Sequence, residues 1–213
     1  MNSQKWSCIY VLAGVNGAGK SSIGGAAFRE HSADYYNPDE AAAKLMAANR
    51  NLSLTDANSA AWQQGVRLLK RAIEERLGFA FETTLGANTI PRLLVQAAEE
   101  AIEVDVWYVG LSSPELHIQR VQSRVRRGGH NIASEHIYRR YEHSRLTLIQ
   151  LLPLLAALRV YDNSTDADPA AGKTPHPKLV LHMERGRIVA PRNLQQTPQW
   201  AKPIVAAALK LVR

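Results

Sequence analysis

Apolar positions in this chain alternate between short unbroken runs and stretches of helical period. Cys8-Ile9-Tyr10-Val11-Leu12-Ala13 suits a strand buried on both faces, and the residues from Lys20 to about Arg29 can form a helix. Asp34-Tyr35-Tyr36-Asn37 reads as a short second strand, with a helix from Pro38. Between Ala57 and Leu77, residues Trp62, Val66, Leu69, Ile73 and Leu77 recur at spacings of four, three, four and four, which predicts one apolar helical face ended by Gly78. Phe79-Ala80-Phe81 gives a third strand running into Glu82-Thr83-Thr84, a helix near Pro91 turns Leu94, Ala97 and Ala101 inward, and Val104 to Gly110 is a fourth strand.

Further along, Ser112-Ser113-Pro114-Glu115 opens a helix with a capping-box pattern, and Gly128-Gly129 stops it. A long helix from about Ser134 places Ile137, Tyr141, Ser144, Leu148, Leu151 and Leu155 on one face, with Pro153 bending it. Arg159 to Asp162 is a fifth strand, Asn163 to Pro177 a loop, Lys178 to Val189 a hairpin about Arg185-Gly186, and Gln199 to Val212 a closing helix. Strands alternating with helices predict an α/β fold: a central, mostly parallel five-stranded sheet flanked by helices, with a C-terminal hairpin plus helix. We expect one domain over residues 1–213, with a C-terminal extension from about 165 to 213.

Composition adds limits. A single cysteine, Cys8, rules out a disulfide framework or a cysteine metal site, and the seven histidines show no metal-ligand spacing. The apolar run near the N-terminus covers only six residues, unlike a signal peptide or membrane span, so a soluble, cytoplasmic protein with no membrane partner is expected. Net charge is +7, and the excess is local: Arg120, Arg124, Arg126, Arg127, Arg139, Arg140 and Arg145 share their segment with only Glu135 and Glu142. That concentration suits a polyphosphate site at least as well as a nucleic-acid surface.

The chemistry centres on Gly14-Val15-Asn16-Gly17-Ala18-Gly19-Lys20-Ser21, which fits the phosphate-binding pattern G-x-x-x-x-G-K-[ST]. Glycines at 14, 17 and 19 let successive N–H groups, including those of Asn16 and Ala18, point at phosphate oxygens, and the following helix adds its positive end. Lys20 then reaches the outer phosphates, Ser21 holds Mg²⁺, and Ser22 completes the nucleotide-binding set. ATP and Mg²⁺ are the expected cofactors.

Ligands of parallel sheets bind at strand carboxyl ends, which here carry two further acids. Asp39 could accept a proton from an attacking hydroxyl, though Asn37-Pro38-Asp39-Glu40 is equally an ordinary helix start. Glu82, with Thr83 and Thr84, could hold an acceptor's hydroxyls or bind Mg²⁺ through water, or the threonines could simply cap a turn. Arg120, Arg124 and Arg127 fall within roughly 60° of one another on one helix face at about 100° per residue, opposite Ile118, Val121 and Val125. Such a row, followed by two glycines, suits a lid over a triphosphate at about residues 114–133; a solvated basic face is the other reading. The fourth strand ends Val109-Gly110-Leu111-Ser112, without the Asp that motor-type NTPases place at a strand end, and Asn163 falls in a loop suited to the adenine side.

Together, Gly14 to Ser21, Asn37 to Glu40, Phe81 to Thr84, the run from Arg120 to His130 and Arg139-Arg140-Tyr141 resemble the zeta toxin kinases, across roughly residues 8 to 164. The resemblance implies a P-loop nucleotide-kinase-like fold and ATP-dependent phosphorylation of a hydroxyl, which in the characterised toxins is on UDP-N-acetylglucosamine. It implies that Lys20 and Ser21 serve phosphate and Mg²⁺, that Asp39 activates the acceptor, that Glu82 and Thr84 face the acceptor, and that Arg124 or Arg127 with Arg140 contact phosphates. An inhibitory antitoxin protein is the implied partner. Two departures bear on the substrate: Val15-Asn16-Gly17-Ala18 stands where those toxins commonly have a proline-glycine-serine version, and the chain is shorter than many. The leading expectation is therefore an ATP- and Mg²⁺-dependent small-molecule kinase whose acceptor is a hydroxyl of a nucleotide sugar or similar molecule. Its rivals are a nucleotide-dependent switch on nucleic acid, and an inactive toxin-like fold that acts through a partner protein.

Overall fold

The computed structural model describes residues 8–24, 35–129, 131–165 and 176–212, without the side chain of Ser22. Five strands, β1 (Cys8–Ala13), β2 (Tyr35–Tyr36), β3 (Phe79–Thr83), β4 (Glu103–Gly110) and β5 (Ala157–Asp162), pair in parallel. The C-terminal hairpin, β6 (Lys178–Glu184) and β7 (Arg187–Ala190), does not stand apart from them. It adds antiparallel to β5 and makes one seven-stranded sheet in the order β2-β3-β1-β4-β5-β6-β7. The turn between them takes positive φ at both Arg185 and Gly186, the backbone that two-residue hairpins favour.

The helices are α1 (Lys20–Ile23), α2 (Pro38–Ala48), α3 (Leu54–Glu74), α4 (Thr89–Glu99), α5 (Pro114–Val125), α6 (Ser134–Leu151) and α7 (Lys202–Leu211). From β1 the chain moves to β3 and β2 on one side and to β4 and β5 on the other, so the carboxyl ends of β1, β3 and β4 flank the crevice where the order reverses. Ile9, Val11, Leu12, Val104 and Val106 are buried completely, as unbroken apolar strands between two helical layers must be. No helix among the described residues is long and apolar enough to cross a membrane.

Several boundaries differ from the sequence pattern for local reasons. Helix α3 starts at Leu54 because the Ser53 hydroxyl accepts the Asp56 N–H, and it ends at Glu74, which leaves Leu77 outside and exposed. Ala101 adopts φ 57 in the turn after α4, so Ile102, not Ala101, enters the core. Ser113, not Ser112, caps α5 by accepting the Leu116 N–H at 3.3 Å. Pro153 does not bend α6; the helix ends at Leu151 and a 3-10 turn, Leu152–Leu154, takes the proline in its first turn. The closing helix begins with a 3-10 turn, Gln199–Ala201. The expected helix to Arg29, the lid position His130 and the middle of the 163–177 loop lie outside the described residues.

Candidate active site

Strand β1 leaves the sheet through Gly14 at φ +142, where an ideal Cβ would sit 2.2 Å from the Val109 carbonyl oxygen. Only glycine lets the chain turn this close to β4. The loop that follows is braced from three directions. The Asn163 amide, at the end of β5, donates to the Ala18 carbonyl at 2.9 Å; the His117 imidazole of α5 donates to the Asn16 carbonyl at 2.9 Å; and Arg140 of α6 donates to Asn16 Oδ1 at 2.6 Å. Asn163 Oδ1 is buried without a hydrogen-bond partner among the described residues, and Gly19 leaves no room for a Cβ against the Asn163 amide. The Asn163 side chain thus packs behind the loop.

His117 is 1% exposed, and burial pushes its pKa down to about 4. It is a neutral imidazole near neutral pH, with its proton on Nδ1 where the carbonyl can accept it. Lys20 Nζ donates to the Gly14 carbonyl at 2.9 Å, across the base of the loop. Withdrawal from water lowers the Lys20 pKa; the negative charges of Glu82 and Asp39 oppose this, and Arg124 and Arg140 reinforce it. An arriving polyanion therefore meets an ammonium already aimed into the loop and largely withdrawn from water.

The acid side is equally organised. Glu82, 7% exposed, takes hydrogen bonds on Oε1 from the Ser21 hydroxyl at 2.8 Å, the Asn37 amide at 3.2 Å and the Tyr35 hydroxyl. Asn37 works in both directions, since its Oδ1 accepts the Asp39 and Glu40 N–H groups and so caps α2. The helix-start reading of this segment thus holds, and the same cap carries Asp39. Ser21, Glu82, Asn37 and Asp39 form one connected array across the ends of β1, β2 and β3.

Beside this array opens a cavity of about 670 Å³, lined by Lys20, Asp39, Glu82, Thr83, Thr84 and Arg140 among others. It gathers every residue expected on the acceptor side, together with Lys20. Trp62 lines it as well, 45% exposed, and so leaves the apolar face that its spacing predicted. Asn58, His136 and Arg139 also line it. Sequence names Trp62 only as an apolar helical position and Arg139 only within the Arg139-Arg140-Tyr141 run, because a helical period cannot separate a core position from one facing a cleft, and it offers no pattern for Asn58 or His136.

The arginine row divides. Arg120 donates to the Thr165 carbonyl at 2.9 Å. Arg124 is exposed, yet its charge acts on Lys20. Arg127 lies past the end of α5, in a turn where Gly129 N–H bonds to the Arg124 carbonyl and Gly128 N–H to that of Val125, so the helical row has only its first two members. Arg140, from the next helix, is the arginine that touches the loop directly.

These features, a glycine loop at the switch point of a parallel sheet with acids on the neighbouring strand ends, coincide with a sequence match to the zeta toxin family over residues 1–168. The chain belongs to the zeta toxin family. A Haemophilus influenzae protein of unassigned function is 31% identical to this family member over 129 residues, 60% of this chain and 88% of that one. The fold is similar to that of AvrRxo1-ORF1:-ORF2 with ATP, at TM-score 0.66 and 14% identity, over 94% of this chain and 63% of that chain, so this family member spans less than two thirds of that neighbour. It is similar also to a chain of the PezAT toxin–antitoxin system of Streptococcus pneumoniae, at TM-score 0.55 and 15% identity, over 100% of this chain and 88% of that one. The sheet and helices thus have the P-loop kinase-like arrangement.

Proposed function

We propose that this family member transfers the γ-phosphate of ATP to a hydroxyl of a small molecule, with a nucleotide sugar such as UDP-N-acetylglucosamine as the acceptor class. The observation that carries this is the shared wall: Lys20, the phosphate group of the loop, and the acids Asp39 and Glu82 line one cavity. ATP would lie on the loop, with Gly14 to Ser21 supplying N–H donors and Lys20, Arg124 and Arg140 supplying positive charge. Asp39 would take the proton of the acceptor hydroxyl as it attacks in line, and Thr83, Thr84 and Glu82 would orient that acceptor.

The oxygen donors also fit Mg²⁺. Ser21 gives its hydrogen to Glu82, which leaves hydroxyl lone pairs for a hard cation, and the carboxylate fixes that orientation from behind. Ser21 and Glu82 would hold the ion, which supplies neutralisation of phosphate charge. Glu82 thereby fills the role for which no acid was found at the end of β4.

Against the nucleic-acid reading, two arginines of the basic segment are turned inward: Arg145 donates to the Trp200 and Tyr141 carbonyls and Arg140 to Asn16. The toxin–antitoxin complexes among the structural neighbours support an inhibitory protein partner for this chain, and co-expression with a neighbouring small protein that relieves growth arrest would test it. The activity is tested by incubating the protein with ATP and Mg²⁺ against nucleotide sugars, nucleosides and simple alcohols and weighing the products. A mass gain of one phosphoryl group on one acceptor class is expected; ADP release with every acceptor unchanged would overturn the assignment.

A further inference from the structure

We propose that Trp62 is the platform on which the acceptor's ring lies, and that it selects acceptors carrying a planar heterocycle; this rests on the phosphotransfer reading of the same cavity. Helix α3 buries Ala57 and Ala61 completely, and these small residues pack with Ala42 of α2 in a cluster of their own. Drawing the two helices together there leaves the next residue, Trp62, beside the stripe and facing the cavity with 45% of its surface open. An indole left this wet forfeits much of the stabilisation a buried one gives, so packing alone does not account for it.

The indole's turn of helix is also held in register with the acid. The Tyr36 hydroxyl donates to the Ala61 carbonyl at 2.6 Å, and the Tyr36 ring occupies the space beside Gly65, where a Cβ would come within 2.9 Å of it. Tyr36 leads directly into Asn37, the cap that carries Asp39. Strand β2 therefore fixes both the platform and the proton acceptor, which line the same cavity. Its volume, about 670 Å³, lies in the range of sites that take whole drug-sized ligands. Arg139, whose guanidinium donates to His136 Nδ1 at 3.0 Å, adds a fixed positive charge to the cavity lining. An acceptor with a ring on Trp62, an anionic middle facing the Arg139 guanidinium and a hydroxyl at Asp39 matches these three groups of the lining.

The test uses the full chain with saturating ADP and Mg²⁺, so that the donor site is filled, and titrates uridine diphosphate by tryptophan fluorescence and calorimetry. Wild type should show saturable quenching. Trp62→Phe should lose the quenching and keep affinity within a few-fold, whereas Trp62→Ala should weaken it about tenfold or more, the scale of base–aromatic stacking. ADP affinity and Tm should hold in both variants. Absence of uridine diphosphate binding to wild type, or equal affinity in Trp62→Ala, overturns the proposal. So does dependence on Trp62 for N-acetylglucosamine 1-phosphate alone, which would make the ring a sugar. Failure of transfer to every acceptor, with uridine diphosphate binding still dependent on Trp62, would remove the kinase reading and leave the platform standing.

Discussion

Single side chains in this molecule have separable tasks, and two of them can be tested in isolation. Asp39 is exposed in a capped first turn whose cap uses its backbone N–H and not its carboxylate, so Asp39→Asn should reduce phosphoryl transfer by about 10²–10⁴-fold while ADP affinity stays within a factor of two or three. Equal loss of nucleotide binding, measured by calorimetry, would show that Asp39 serves the donor and not the acceptor. His117 makes a prediction about stability. Its folded pKa, about 4, lies below the ordinary 6.5, so between these values the unfolded chain binds a proton that the native chain refuses. Stability should therefore fall as pH drops from 6.5 to about 4, by about 3 kcal/mol from this residue. Urea denaturation of wild type and His117→Gln at pH 7 and 4.5 measures it, with the variant expected to lose less between the two conditions. His117 was invisible in the sequence, because its partner is a backbone carbonyl in a loop about a hundred residues earlier.

At the scale of elements, the strands and the phosphate loop were legible because their information is local: an unbroken apolar run, a glycine pattern, a proline at a helix start. What local pattern could not supply was direction. The spacing of Trp62, Val66, Leu69, Ile73 and Leu77 correctly called for a helix, yet only Leu69 and Ile73 are fully buried, since Trp62 faces a cleft and Leu77 lies past the helix end. The arginine row has the same lesson. Helical spacing put Arg120, Arg124 and Arg127 together, while the contact with the loop came from Arg140 on α6, a position that the family resemblance pointed to and periodicity did not. The two helices should accordingly fail differently. Arg140→Ala removes a brace on Asn16 and should weaken nucleotide binding about tenfold or more and lower Tm. Arg124→Ala leaves the loop intact and should act on kcat, on the order of 10²–10³-fold, with nucleotide affinity little changed. If both variants shifted the same parameter, the division of labour between α5 and α6 would be wrong.

The whole molecule depends on a part that the family match does not include. Residues 169 onward fall outside that match, yet the hairpin continues the sheet and Trp200, Ile204, Val205 and Ala208 belong to the main core. Trp200 is the keystone. It is 4% exposed, its ring lies so close to Gly110 that an ideal Cβ there would come within 2.3 Å of it, and its indole N–H donates to Asp162 at 3.1 Å. Asp162 also accepts from the backbone N–H and the hydroxyl of Ser164, and Asn163 between them holds Ala18 of the phosphate loop. One buried ring thus ties the C-terminal segment to the ends of β4 and β5 and, through a single residue, to the nucleotide loop. Replacing a buried tryptophan with alanine costs about 3–5 kcal/mol, so Trp200→Ala should lower Tm strongly. Because the ring also anchors Asp162, the same variant should bind ADP more weakly at temperatures where it is still folded. Gly110→Ala, which forces the ring outward without removing it, should reproduce both effects in smaller measure. Calorimetric ADP titration of the three proteins well below their unfolding transitions separates the effects: reduced stability with unchanged ADP affinity would mean that Trp200 seals the core without supporting the nucleotide loop.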